Sequence, residues 1–227
     1  MGTITLSKAN RLFWLGRYLE RVYTALRATK DIFEADTDGC EADYAAYCRA
    51  LGIPNEYRNT ADFIRRYYFD AANPCSVASS LGYAYDNAIV LRETLSSDTL
   101  AYVQMAVSAM ELAMHSTGPG VELQWVQDDI MAFRGSCEEN IDEESSRNII
   151  KTGAALERVD LYLRLDYDDA LCEKEFSRMF NRLYKAQLKP DPQKLDLLVG
   201  AILDKNGSVM PPKTVLVSAL EGLFPGV

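Results

Sequence analysis

RLFWLGRYLERVYTALR, residues 11–27, contains a pattern that recurs later in the chain. Both copies read Gly-x-x-Leu-Glu-Arg-Val-x-x-x-Leu-Arg, the first beginning at Gly16 and the second at Gly153. The apolar residues of the pattern lie three, four and seven positions apart, which is the spacing of one face of an α-helix. The repeat therefore predicts two long helices that carry the same Glu-Arg motif.

The two motif glutamates, Glu20 and Glu157, share their helical rows with apolar residues. A carboxylate buried in such a row needs a partner, because an unpaired buried charge is costly. The next residue in sequence points about 100° away around the helix, so the adjacent arginine is not the obvious partner. If the two helices pack antiparallel, Glu20 meets Arg158 and Glu157 meets Arg21, while the motif glycines let the backbones approach.

Two interpretations of this centre stay open. In the first, buried ion pairs fix how the helices pack and do no chemistry. In the second, the same groups form a polar pocket at the centre of a bundle, where arginine forks suit a carboxylate or phosphate ligand. The candidate residues for either role are Arg17, Glu20, Arg21, Arg134, Glu157 and Arg158.

The composition is that of an acidic globular protein. The 227 residues are 48% hydrophobic and 25% charged, with a formal net charge of −9. A chain of this size and composition predicts one domain over residues 1–227. The acidic balance argues against nucleic acid as the main partner.

No segment shows a sustained two-residue alternation, so the fold class predicted is all-α. We expect a single-domain antiparallel helical bundle with two long central helices that carry the repeated motif. The first is predicted over about residues 7–34 and the second over 144–165. Asn73-Pro74 and Asp191-Pro192 each read as a helix start, with an N-cap followed by proline.

The sequence offers few groups for catalysis or metal binding. His115 is the single histidine, whereas a ferritin-like di-iron centre needs two Glu-x-x-His pairs. The scattered cysteines and His115 have no zinc-ligand spacing, and no nucleophile motif accompanies the histidine. No glycine-rich phosphate loop is present. We therefore expect no metal and no other cofactor, and a function that is more plausibly binding than catalysis.

The cysteines and the apolar segments indicate in which cellular compartment the protein is expected to be found. The five cysteines are scattered and form no C-x-x-C pair, which is typical of reduced thiols in the cytoplasm. The first residues contain no apolar run of the signal-peptide type. No 18-residue stretch is apolar and free of charge, so no membrane span is expected. A cytoplasmic protein without membrane attachment is predicted.

Four blocks of sequence resemble a known family. They are LSKANRLFWLGRYLERVYTALR at residues 6–27, Asn73–Val77, the pair Tyr85–Ala88 and Arg92–Ser96, and Phe133–Gly135 with Leu156–Asp160. In this order they resemble the bacterial alpha-E family, a helical domain with a Glu-Arg motif, over residues 6–166. The chain has Tyr85-Asp86-Asn87 where the family commonly has Arg-Glu-Asn, and residues 170–227 do not align with confidence.

The resemblance implies an all-helical fold and a functional context. Genes of such proteins often neighbour, or are fused to, those of circularly permuted ATP-grasp and transglutaminase-like proteins. The chain is therefore expected to be a non-catalytic accessory or binding protein of an ATP-grasp peptide-ligase or amide-forming system, with one of these proteins as its partner. The alternative is an enzyme or ligand sensor that uses a central Glu/Arg pocket for a carboxylate-bearing or phosphate-bearing ligand. The family has no established activity to carry over.

Overall fold

The computed structural model of the protein describes residues 4–204 and 211–227, and within these residues it contains helices and no strand. The predicted all-α fold class is confirmed. The helices are α1 (Leu6–Ala28), α2 (Lys30–Thr37), α3 (Tyr44–Leu51), α4 (Thr60–Phe63), α5 (Val77–Val90), α6 (Ser97–His115), α7 (Gly120–Asn140), α8 (Glu144–Arg164), α9 (Asp169–Phe180), α10 (Leu183–Ala186), α11 (Pro192–Val199) and α12 (Lys213–Glu221). Two π-helical segments, Ile64–Tyr68 and Gly200–Asp204, continue α4 and α11.

The chain divides into two compact units. The first unit comprises Met1–Arg17 and Glu143–Val227, and the second comprises Tyr18–Asp142. The boundary between Arg17 and Tyr18 falls inside the continuous helix α1. The expectation of one domain over the whole chain stays a prediction.

In the second unit, α6 and α7 form an antiparallel pair joined by a short turn. The hydroxyls of Thr99, near the start of α6, and Ser136, near the end of α7, are 2.8 Å apart and hydrogen-bonded. Ser96 caps α6 by accepting a hydrogen bond from the backbone N–H of Thr99. Buried aliphatic side chains, among them Val103 and Ile130, fill the contact.

An aromatic cluster forms another part of this unit's core. Phe63 is fully buried and its ring contacts those of Tyr44, Tyr57 and Tyr67 at centroid distances of 4.9 to 5.4 Å. The hydroxyls of Tyr47 and Tyr67 are hydrogen-bonded to each other at 2.8 Å. Because each buried hydroxyl has a partner, the cluster avoids the cost of an unpaired polar group.

In the first unit, α8 is the most completely buried helix, and α9 and α12 pack against it. Residues 6–17 of α1 also lie along α8. The Phe13 and Phe224 rings meet edge to face at a centroid distance of 5.4 Å. Asp191 caps α11 through its side chain, as predicted, and its backbone N–H donates to the Leu223 carbonyl at 2.7 Å.

Two predicted helix boundaries are wrong. The first helix does not run unbroken to residue 34, because α1 ends at Ala28 and α2 begins at Lys30. Between them the Thr29 hydroxyl donates to the Ala25 carbonyl at 2.7 Å. At Asn73-Pro74 no helix begins, because the Asn73 side chain closes a turn by accepting from the Cys75 N–H. Ser76 is the N-cap, and α5 begins one residue later.

Candidate functional site

The second copy of the motif contains a buried ion pair with α1. The Arg17 Nε donates to Glu157 Oε2 at 2.6 Å, and Glu157 is only 1% exposed. Arg17 is buried too, and its guanidinium carbon lies 4.6 Å from the centre of the Trp14 ring. The ring covers the cation and the bond is charge-assisted, so this pair satisfies the groups that burial would otherwise destabilise.

One turn further along α8, Asp160 forms a second buried acid site. Its Oδ2 accepts from the Arg164 Nε at 2.9 Å, while its Oδ1 accepts no hydrogen bond within the described part of the chain. Burial raises the pKa of the Asp160 carboxyl above its usual value. Arg164 opposes that rise and the nearby Glu157 adds to it. Asp160 therefore keeps its proton more readily than a carboxyl exposed to water.

The first copy of the motif has its own pair, inside the second unit. Arg134, on α7, donates from Nη2 to Glu20 Oε2 at 2.7 Å, and the Thr24 hydroxyl donates to Glu20 Oε1 at 2.9 Å. The Arg134 guanidinium carbon lies 4.4 Å from the centre of the Tyr23 ring. Glu20 is 1% exposed, so both of its oxygens are held by donors away from bulk water.

The arginines that directly follow the two motif glutamates, Arg21 and Arg158, contact different kinds of side chain. The guanidinium carbon of Arg21 lies 5.7 Å from the Tyr18 ring centre. Arg158 donates from Nη1 to Glu175 Oε2 at 2.7 Å, and Arg178 donates to the other oxygen of Glu175 at 2.5 Å. Arg158 thus ties α8 to α9 through a carboxylate that is itself buried.

The motif glycines mark where α1 and α8 meet within the first unit. A Cβ on Gly16 would overlap the carbonyl oxygen of Ile150, and a Cβ on Gly153 would overlap that of Phe13. This close approach agrees with the role predicted for the glycines.

The contacts along this part of α1 follow the order of α8. Lys8 pairs with Glu143 at 2.7 Å, at the beginning of α8, and Arg17 pairs with Glu157 further along. Here the two helices run in the same direction, whereas the predicted cross pairs were argued for antiparallel helices. Glu20 and Arg21 belong to the second unit and Glu157 and Arg158 to the first, so the pairs Glu20 with Arg158 and Glu157 with Arg21 stay predictions.

The sequence identified most of the charged groups but not all their partners. Glu20, Glu157, Arg17 and Arg134 were candidates, and the structure joins them as two pairs in which the glutamate is buried. Other participants were missed, namely Thr24, Asp160, Arg164 and Glu175. Asp160 and Arg164 carried a usable signal, since an acid four residues before an arginine on a helix is a favourable spacing.

The charged groups of the site form no metal-binding cluster among the described residues. Within residues 4–204 and 211–227 no group of three or more His, Cys, Asp or Glu side chains is placed to hold a metal ion. Over the same residues no helix has the length and apolar character needed to cross a membrane. What the site does present is carboxylates neutralised by arginines.

A family model described as a predicted alpha-helical domain with a conserved ER motif, Alpha-E, matches residues 6–198. The chain belongs to the Alpha-E family. The match includes both Glu-Arg copies and extends past residue 166 through α9 and α10 into α11, where the sequence alone did not align with confidence. Comparisons of this Alpha-E protein with curated proteins and with solved structures gave no match.

Proposed function

We propose that this Alpha-E protein is a non-catalytic binding protein that serves an ATP-grasp peptide-ligase or amide-forming system. The observation that carries the proposal is the burial of both motif glutamates in arginine pairs. Glu20 and Glu157 are each 1% exposed, and each accepts a short hydrogen bond from a guanidinium. A general base must reach a proton on its substrate, and burial keeps both of these carboxylates from reaching a substrate. We therefore assign the buried motif to stabilising the fold, and we place the binding function on the exposed surface of the protein.

The surface of α6 and α7 supports a binding role. Large apolar side chains are exposed along both helices, and they are Met105, Leu112, Met114, Val121, Trp125 and Met131. Single exposed apolar residues are ordinary, but Met105 and Leu112, seven apart, share one face of α6, and Val121 and Trp125, four apart, share one face of α7. Neighbouring apolar side chains of this kind are typical of surfaces that bind other proteins. We infer that this surface contacts the partner.

The identity of the partner rests on the family. Membership in Alpha-E, with the gene context that the resemblance implies, supports an ATP-grasp or transglutaminase-like protein. The five cysteines are all free thiols, which supports the cytoplasm as the compartment.

The test is affinity capture from the native host, with the tagged chain at its normal expression level and in low salt. We expect an ATP-grasp or transglutaminase-like protein among the captured proteins. Trp125→Lys should reduce its recovery, because a charge on the apolar surface disfavours burial there. Ala46→Lys, at an exposed position of α3, is the matched control and should leave recovery unchanged. Capture of neither kind of protein by the unmodified chain would contradict the proposal.

Asp160 is the observation in favour of the alternative class, an enzyme or a ligand sensor. Its raised pKa and its free Oδ1 are properties of acid-base groups. Its other oxygen is nevertheless fixed by Arg164, and the neighbouring Glu157 is fixed by Arg17. A thermal-shift screen with amino acids, acidic peptides, and ATP with Mg²⁺ tests this class. A ligand at 100 times its Kd stabilises the fold by about 2.7 kcal/mol.

A further inference from the structure

The last arginine of the motif has different surroundings in its two copies. In the second copy, Arg164 donates to Asp160 at 2.9 Å and to Glu221 at 2.7 Å. The corresponding arginine in the first copy is Arg27, and Tyr23 stands in the position of Asp160. Arg27 donates to the Tyr23 hydroxyl at 3.1 Å, and within the described part of the chain it forms no ion pair with a carboxylate. The arginine at this motif position is therefore paired with carboxylates in the second copy, whereas in the first copy its partner is a neutral phenol.

Arg27 lines a cavity of about 400 Å³ inside the second unit. One wall comes from the end of α1 and from α2, and the other from the first two turns of α7. Leu26, Phe33 and Leu123 supply apolar surface to it. Small-molecule pockets typically measure about 300 to 1,000 Å³ and combine apolar walls with a few polar groups.

The charges at the cavity favour a ligand with one negative charge. Lys30 pairs with Glu34 at 3.4 Å, so these two neutralise each other. Arg27 is then the cation without an acidic partner on the cavity wall. A planar guanidinium matches a carboxylate, which it binds through two parallel hydrogen bonds. A phosphate carries two negative charges, and its second charge would lie near the Glu34 carboxylate. Lys30 is already paired with Glu34, so no second cation on the wall is available to neutralise that charge.

The walls favour an apolar body on that ligand. The rings of Phe33 and Tyr68 are stacked, with planes 10° apart and centroids separated by 6.0 Å. Opposite them the wall has Gly120, where an added Cβ would lie 3.7 Å from a ring carbon of Phe33. An added Cβ would be in ordinary van der Waals contact with that carbon, so glycine leaves this part of Phe33 uncovered by a side chain of residue 120. An aromatic or aliphatic group can therefore lie against Phe33 while its carboxylate meets Arg27.

We propose that this cavity binds a small monocarboxylate with an apolar body, and that Arg27 is its ion-pair partner. This site lies apart from the buried Glu20 and Arg134 pair, whose groups do not line the cavity. The proposal does not depend on an ATP-grasp partner.

The experiment is isothermal titration calorimetry of the full chain with 3-phenylpropionate and with its neutral amide, 3-phenylpropanamide. The acid should bind, and the amide should bind at least about ten-fold more weakly because it has no charge for the arginine. Arg27→Gln should weaken binding of the acid by at least about ten-fold. Arg49→Gln makes the same charge change at an exposed position of α3 outside the cavity, and should leave the affinity unchanged.

Gly120→Leu supplies a second test, since it fills the space beside Phe33 and leaves the charge of Arg27 in place. Binding of the acid should be lost while the melting transition persists. If Arg27→Gln does not fold, Arg27→Lys keeps the charge without the fork and should show intermediate affinity. The proposal is overturned if the acid does not bind at millimolar concentration, if acid and amide bind equally, or if binding survives both Arg27→Gln and Gly120→Leu.

Discussion

At the scale of single residues, the two motif glutamates are equally buried but their arginine partners are not. The Arg17 side chain is 8% exposed, whereas that of Arg134 is 26% exposed. Removing either arginine leaves a carboxylate in the core without its cation, and such a charge costs far more than an exposed pair contributes. Glu20 retains the Thr24 hydroxyl as a donor, so we take the Arg17 pair as the sharper test.

Arg17→Met should destabilise the fold by about 3 to 5 kcal/mol, because it leaves Glu157 buried and charged while keeping most of the apolar stem. Urea unfolding followed by circular dichroism measures this. Arg65→Met is the control, since Arg65 is 75% exposed where it pairs with Asp62 and should lose less than about 1 kcal/mol. Equal small losses in the two variants would show that the buried pair contributes no more than a surface one.

Asp160→Asn should change how stability depends on pH. The pKa of Asp160 is raised, first by burial, so the folded protein keeps this proton where the unfolded chain has lost it. Stability from this group therefore falls as pH rises above the unfolded pKa of about 3.9, up to the folded pKa. The variant lacks this loss, and its stability relative to the wild type should increase as the pH rises above about 3.9.

The control for this pH series is Asp62→Asn, because the shift at Asp62 has the opposite sign. A hydrogen bond from Arg65 lowers the pKa of Asp62, so its ionised form stabilises the fold. That contribution is present above the unfolded pKa and is lost as the pH falls through the folded one. Urea midpoints of the three proteins at each pH give the comparison. Curves for Asp160→Asn and the wild type that stay parallel would contradict the assignment.

At the scale of elements, the approach of α1 and α8 depends on two glycines. Their hydrogens face backbone carbonyls, not flexible side chains, at Ile150 and Phe13. A backbone carbonyl cannot rotate out of the way, so an added methyl group must push the helices apart. The Arg17–Glu157 bond lies beside this contact and depends on the same spacing.

Gly16→Ala should destabilise the protein by at least about 1 to 3 kcal/mol, because overpacking outweighs the better helix propensity of alanine. Gly135→Ala, in α7, is the matched control: nothing lies within 4 Å of its added Cβ, and stability should rise by up to about 1 kcal/mol. Thermal unfolding of both variants measures these two changes in stability. A stabilised Gly16→Ala would show that the helices do not touch there.

The elements were predicted well where the local sequence determines them. The motif repeat and the acidic residues before it placed the second long helix at 144–165, and α8 spans Glu144–Arg164. The end of α1 was missed because Thr29 takes part in a contact with Tyr68, which is distant in sequence. Likewise, no periodicity shows that Glu20 pairs with Arg134 on α7, since tertiary packing selects that partner.

At the scale of the whole molecule, one group of titratable side chains withdrawn from water is a cluster of phenols. Of the 13 tyrosines, Tyr47, Tyr67 and Tyr68 have pKa values well above the usual 10, chiefly because of burial. For an acid, a raised folded-state pKa means that stability is lost as pH rises above the unfolded value, here about 10. The aromatic cluster should therefore set the alkaline limit of the fold.

Absorbance at 295 nm, followed as the pH is raised, should show two phases. The later phase is the buried group, which should ionise only together with loss of the helical circular dichroism signal. In Tyr47→Phe the Tyr67 hydroxyl loses its partner, which should cost about 1 to 3 kcal/mol and lower the pH of the second phase. A single phase near pH 10 with helicity retained would mean that the cluster is open to water.

The division of α1 between the two units affects the order in which the chain can fold during synthesis. Tyr18–Asp142 is continuous, so every residue of that unit has left the ribosome before the other unit is complete. Met1–Arg17 is synthesised before that unit, yet its partners in Glu143–Val227 are synthesised after it. Until then Leu12 and Leu15, fully buried in the finished protein, have no core to enter. The nascent chain therefore exposes the apolar side chains of residues 6–17 until Glu143–Val227 is made, and that segment is where a chaperone would be needed.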